Sequence, residues 1–137
     1  MIAYDGEESK IQAYLVKPAQ EGPHPVVIVI HEILGLNDQI KGIANRFAAE
    51  GYVAFAPDLF SRPELASVLI PSNIEETMAF VQTPGWEKMS DRVYMQQALS
   101  QHLQEKREII QRTLPVLFGG ISEEKSTQDL VKALDFI

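Results

Sequence analysis

The sequence predicts an α/β fold, and three observations predict it. Residues 26–30 are five consecutive β-branched side chains, Val26, Val27, Ile28, Val29 and Ile30, the signature of a strand covered on both faces. Residues 52–56, Tyr52, Val53, Ala54, Phe55 and Ala56, repeat that character. Between the two runs, Ile40, Ile43, Ala44, Phe47 and Ala48 recur at helical spacing. Strand, helix and strand at this separation make a βαβ crossover.

The remaining elements follow in chain order. Asp5, Gly6, Glu7 and Glu8 read as a turn, so residues 2–4 and 10–16 form an antiparallel hairpin at the border of a mixed sheet. A loop with three prolines, Pro18, Pro23 and Pro25, leads into the first apolar strand. Asn37 or Asp38 caps the crossover helix, which runs to about Glu50 and closes at Gly51. Residues 61–71 are irregular, 73–82 read as a short helix, and Thr83, Pro84 and Gly85 break it. Ser90 or Asp91 caps a long polar helix to about Arg112, with Val93, Leu99, Leu103, Ile109 and Ile110 on its apolar side, interrupted at Pro115 and Gly119–Gly120. Ser122 caps a last helix whose apolar stripe is Leu130, Val131, Leu134 and Ile137. The expected division within one domain is a hairpin and βαβ core over 1–62, an insertion or cap over 63–121, and a final helix over 122–137.

Composition excludes several classes of function. The chain has 137 residues, 45% hydrophobic and 23% charged, as expected for one soluble domain with one core. No apolar run approaches the roughly 18 residues of a membrane span. Residues 1–10 lack an apolar core for a secretory leader and the arginines of a transit peptide, so a cytoplasmic location is expected. A net charge of −7 without a basic stripe argues against nucleic acid and anionic membranes as partners. With no cysteine, disulfides, thiolate metal sites and a cysteine nucleophile within these residues are excluded.

His31 and Glu32 stand at the carboxyl end of the first apolar strand, where open α/β sheets bind ligands. A zincin motif would need a second histidine at position 35, which is glycine, so no metal site is expected. The turn instead suits a backbone N–H aimed at a developing oxyanion, with Gly35 allowing the bend. Ser122 lacks the second glycine of a nucleophile elbow, because position 124 is Glu, and reads as a helix cap. Asp58 reads as a turn residue, His102 as a solvent-facing residue of a helix, and His24 as a loop residue between prolines. Trp86 and Tyr94 are candidate pocket-lining aromatics.

Ile11-Gln12-Ala13-Tyr14-Leu15, His31-Glu32-Ile33-Leu34-Gly35-Leu36-Asn37 and the run from Gly51 to Phe60 closely resemble the dienelactone hydrolase family, a branch of the α/β-hydrolases. The resemblance implies a truncated α/β-hydrolase fold, a hairpin plus βαβ unit with a helical insertion, from which the central nucleophile strand is absent. It implies hydrolysis of a small-molecule lactone or ester by a Cys-His-Asp triad without cofactor. Glu32 matches the glutamate that controls the cysteine's ionisation, the Ile33 N–H matches an oxyanion-hole donor, and Arg92 is a counterpart for the substrate-binding arginine. The elbow and all three triad residues have no counterpart here, so the chain is expected to be inactive alone. Residues 26–30 are expected to become a sheet edge, open to a C-terminal half supplied in trans or to self-association. The alternative function is a noncatalytic binding or interaction module that uses this apolar edge and the helical cap.

Overall fold

The computed structural model describes residues 1–82 and 86–137. The chain separates into two compact units, Met1–Ala66 together with Ser122–Ile137, and Ser67–Ile121.

The first unit is a four-stranded sheet of order β1-β2-β4-β3, with β1 at Ile2–Asp5, β2 at Lys10–Val16, β3 at Val26–Ile28 and β4 at Val53–Asp58. Strands β1 and β2 form the expected antiparallel hairpin, β2 pairs antiparallel with β4, and β3 pairs parallel with β4. Because side chains alternate across a strand, β4 divides its residues between the two faces. Ala54 and Ala56 meet helix α1 (Asp38–Ala49) through Ile40 and Ala44. Phe55 points to the other face, where Tyr4, Ile11, Ala13 and Ala133 of helix α6 (Glu123–Phe136) close a second core.

Helix α1 begins where its cap chemistry dictates: the Asn37 side chain accepts from the Ile40 N–H at 3.1 Å. It ends in a paired closure, with the Gly51 N–H on Ala48 O and the Tyr52 N–H on Phe47 O, both at 3.1 Å. Ser122 caps α6 by accepting from the Lys125 N–H. A short helix α2 (Pro63–Ala66) occupies part of the stretch expected to be irregular.

Two expectations for this unit are corrected. The strand at residues 26–30 is not covered on both faces along its length: its ladder stops at Ile28, and Val26 and Ile30 are 45% and 56% exposed, because β3 is the outermost strand. The stripe expected on α6 is not the buried one either. Asp129 and Ala133 face the sheet, while Val131 and Leu134 are 52% and 63% exposed. The aspartate takes the inward position because an arginine is buried opposite it.

The second unit holds helices α3 (Pro71–Gln82), α4 (Arg92–Ser100) and α5 (Gln104–Gly119), with a turn of 3₁₀-helix at Trp86–Lys88. Its core joins Phe80 and Val81 of α3 to Met95 of α4 and Ile110 of α5. Asp91 caps α4 through the Val93 and Tyr94 N–H groups. The single long helix expected over 91–112 is two helices. A continuous one would run about 33 Å against the ~18 Å of α3, and the break at 101–103 lets Met95 and Ile110 reach the same core. Val93 and Leu103, expected on the apolar side, are exposed. Pro115 lies inside α5, which continues to Gly119. The expected break at Thr83, Pro84 and Gly85 lies outside the described residues. Among the described residues, no helix is long and apolar enough to cross a membrane.

Candidate functional site

Where β3 ends, the chain turns sharply over Glu32, Ile33, Leu34 and Gly35, with the Gly35 N–H returning to Glu32 O at 3.0 Å. Gly35 has φ +73°, and a Cβ there would sit 3.1 Å from the Phe60 ring. Both facts demand glycine. Asn37, two residues on, closes onto Gly35 O and opens α1.

His31 is buried beneath this turn and fixes it. The Leu59 N–H donates to His31 Nε2 at 3.1 Å, so that nitrogen carries no proton. The proton is therefore on Nδ1, which donates to the Glu32 carbonyl at 2.8 Å. The Phe60 ring stands edge-on to the imidazole with centroids 4.6 Å apart. A neutral histidine thus ties the turn after β3 to the turn after β4.

The Glu32 carbonyl accepts from both His31 Nδ1 and the Gly35 N–H. Across a trans peptide the carbonyl and the next N–H point in opposite directions. Anchoring Glu32 O inward therefore aims the Ile33 N–H away from the anchor, and among the described residues it has no acceptor. The Glu32 side chain is exposed beside it. One unpaired, preorganised N–H is an arrangement that suits a developing negative charge on a substrate oxygen.

Asp58 has the turn role expected of it: its carboxylate accepts from the Phe60 N–H at 3.1 Å, and Ser61 donates to its carbonyl. It lies 3.9 Å from His31 Nε2, too far for a hydrogen bond. Burial pushes its carboxyl above the ordinary value, against the Phe60 N–H and the Lys41 ammonium, which pull it down. His24 packs its ring between Gly51 O and Gln20 O. His102 sits in the break between α4 and α5, partly buried and edge-on to Phe80, rather than solvent-facing within a helix. Arg92 is exposed at the first residue of α4, in the second unit, whereas Glu32 and Ile33 belong to the first. Tyr94 is half-buried with the Lys88 ammonium 4.6 Å over its ring, and the Trp86 side chain lies outside the described residues. Among the described residues, no three metal-ligating side chains converge.

One cluster escaped the sequence. Arg62 and Asp129 are 3% and 2% exposed, and the guanidinium Nε and Nη2 lie 2.7 and 2.6 Å from Asp129 Oδ2. The Glu7 N–H takes Oδ1 at 2.9 Å, and the Tyr4 hydroxyl donates to the Asp129 carbonyl. Burial, with Asp129 adding to it and Arg62 opposing it, pushes the Tyr4 phenol up to about 12. A Cβ on Gly6 would stand 2.6 Å from Asp129 Oδ1, so the β1–β2 turn closes directly over the carboxylate.

The sequence profile of the dienelactone hydrolase family matches residues 11–117. A protein of Saccharolobus solfataricus named "Putative carboxymethylenebutenolidase" is 43% identical over 136 residues, 99% of this chain and 51% of its own length. A Synechocystis protein of the same name is 35% identical over 104 residues, 61% of this chain and 42% of its own. The chain therefore spans about half the length of the curated relatives it matches. A crystal structure titled "Putative Dienelactone Hydrolase" from Klebsiella pneumoniae superposes on 98% of this chain with a TM-score of 0.55 at 19% identity, covering 40% of that protein. That likeness establishes the fold, a partial α/β-hydrolase.

Proposed function

Because this chain belongs to the dienelactone hydrolase family, we propose that it supplies the oxyanion turn and the regulating glutamate of a carboxylic ester or lactone hydrolase. The observation that carries this reading is the His31–Glu32–Ile33 turn, in which a doubly anchored carbonyl leaves the Ile33 N–H preorganised and, among the described residues, without an acceptor. In this reading the Ile33 N–H stabilises the oxyanion as the carbonyl carbon becomes tetrahedral. The Glu32 carboxylate adjusts the ionisation of a nucleophilic thiol brought beside it. Arg92 is the proposed binder of a substrate carboxylate.

Magnitudes decide what these groups achieve by themselves. An oxyanion donor contributes roughly 10²–10³ in rate, whereas loss of a nucleophile costs on the order of a million-fold. The 137 residues contain no cysteine, so the chain alone is expected to be inactive.

The test is hydrolysis of a p-nitrophenyl ester and of a dienelactone, by the chain alone and by a chimera in which residues 1–137 replace the matched segment of the Saccharolobus relative. No turnover by the chain alone, with turnover by the chimera that falls at least ~100-fold in its Glu32→Ala variant, is the expected outcome. A folded chimera that hydrolyses neither substrate would sink the reading.

A further inference from the structure

We infer that His24 is a proton-dependent latch: as an imidazolium it ties the loop of residues 18–25 to the end of α1, and as a neutral ring it lets that loop go. Counting donors and acceptors leads there. His24 Nδ1 lies 3.1 Å from Gly51 O, and Nε2 lies 2.8 Å from Gln20 O. Both partners are carbonyl oxygens, which only accept. A neutral imidazole has one N–H, so it answers one carbonyl and turns a lone pair toward the other. The imidazolium has two and answers both. His31 shows the contrast, since a donor meets its Nε2 and an acceptor its Nδ1, and it is complete when neutral.

The loop depends on this ring because its backbone does little to hold it. Pro18, Pro23 and Pro25 bring no N–H, and Gly22 turns at φ +132°. Among the described residues, 18–24 make no backbone–backbone hydrogen bond, and Pro25 makes one, accepting from the Val53 N–H where β3 begins. Gln20 O belongs to the loop itself and Gly51 O to the closure of α1. The doubly protonated ring therefore folds the loop and docks it in the same step.

The surroundings suit a cation that exchanges its proton with water. The ring is half-buried at the C-terminal end of α1, where a positive charge is favoured by the helix dipole. The charged groups on the elements around it are Glu21 in the loop, Arg46 and Glu50 in the last turn and cap of α1, and Lys17, which lines the same groove as the ring. All four are exposed, and the two bonds of the ring go to carbonyls rather than to any of them. From β3, β4 and α6 the groove receives apolar side chains such as Val26, Val53 and Phe136.

Opening the latch joins two hollows. His24 lines a groove of about 280 Å³ beside β3, while its acceptors Gln20 and Gly51 line a second hollow of about 310 Å³ over the end of α1. The ring is the partition between them. Because the bonds belong to the protonated form, the loop is closed in mild acid and opens as pH rises through the ordinary histidine range of about 6.5. The latch stands before β3 and the His31–Glu32 turn after it, so this device draws nothing from the hydrolase reading.

The experiment is a pH series of nitrogen NMR on the 137-residue chain, with His24→Phe beside the parent. At about pH 5 both ring nitrogens of His24 should carry protons, with N–H order parameters of Ala19, Gln20 and Gly22 at about 0.85; at about pH 8 the ring keeps one proton and those values fall below about 0.6. Ring and loop should share one midpoint, and Val53 and Ala54 should stay rigid throughout. In His24→Phe the loop should be mobile at both pH values. A loop that stays ordered while the ring titrates, a loop that is mobile in the parent at both values, or a loop in folded His24→Phe as rigid as the parent's in acid would each overturn the latch. If His24→Phe does not fold, the parent's ring and loop signals decide by themselves.

Discussion

Two polar clusters lie in the first unit, and they use opposite electrostatics. Arg62 and Asp129 are a fully buried ion pair whose carboxylate is satisfied on both oxygens. His31 is a neutral ring, with one partner on each nitrogen and an aspartate held just out of reach. The charged cluster fastens helix to hairpin, joining α6 to the turn between β1 and β2. The neutral cluster aims a single peptide bond. The difference teaches which cluster the fold depends on and which the site depends on: a buried pair becomes a liability when one member is lost, whereas a neutral ring loses only hydrogen bonds.

The largest effect therefore belongs to Asp129. Asp129→Ala strands the Arg62 guanidinium in the core and frees the Glu7 N–H, at a cost of about 3–5 kcal/mol. Total stability for a domain is only about 5–15 kcal/mol, so urea denaturation should show a midpoint reduced by about a fifth or more, or no cooperative transition. Combining Arg62→Met with Asp129→Leu removes both charges and should recover most of the loss. A double variant as unstable as Asp129→Ala would show that the bonds to Glu7 and Tyr4, not the buried charge, dominate.

The charged cluster was invisible in the sequence for a physical reason. Its members are 67 positions apart, and Asp129 sits in a helix whose Leu130, Val131, Leu134 and Ile137 advertise a different buried face. Periodicity reports which side of a helix is apolar; it does not report how many sides are covered. The run of β-branched side chains at residues 26–30 likewise signals coverage in the family fold, and the edge expected of that strand here is the position β3 takes. Local chemistry was legible: the Asn37 and Ser122 caps, the hairpin turn, the crossover, and the bend at Gly35 all depend on near neighbours. His31 was legible as a residue at the right strand end, but its partner at Leu59 comes from the other strand of the crossover. Nothing in the sequence sets that pairing.

The neutral cluster is expected to be less costly to break and more specific in its consequences. His31→Phe preserves bulk against Phe60 but leaves the buried Leu59 N–H without an acceptor, at a cost of about 1–3 kcal/mol. The chain should still fold, with the largest amide shifts in a two-dimensional NMR spectrum at Glu32, Ile33, Gly35 and Leu59. In the parent chain, imidazole nitrogen shifts should show the proton on Nδ1. A proton on Nε2 would remove the anchoring role assigned to this ring.

Gly35→Ala probes the same turn from the backbone. The substitution places a Cβ at φ +73° and 3.1 Å from the Phe60 ring, which together should cost about 1–2 kcal/mol. The melting temperature should fall, while the circular dichroism at low temperature stays unchanged. An unchanged melting temperature would mean that the turn relaxes freely, and a turn that relaxes freely does not hold an N–H in one direction.

The smallest effect is the one that separates the two clusters most cleanly, because it asks whether charge near His31 helps the fold at all. Burial holds the Asp58 carboxyl above its ordinary value, so the folded state prefers the protonated form more than the unfolded state does. That contribution is fully present below the ordinary carboxyl value and is lost as pH rises through the elevated one. At neutral pH the ionised Asp58 is thus a mild burden, the opposite of a salt-bridged aspartate. Asp58→Asn keeps an oxygen for the Phe60 N–H and removes the charge. Its melting temperature should exceed that of the parent slightly at pH 7, and the two curves should converge as pH falls below the ordinary carboxyl range. If Asp58→Asn instead lowers the melting temperature at pH 7, Asp58 and His31 form a working ion pair, and the contrast between a charged fastening and a neutral clamp fails.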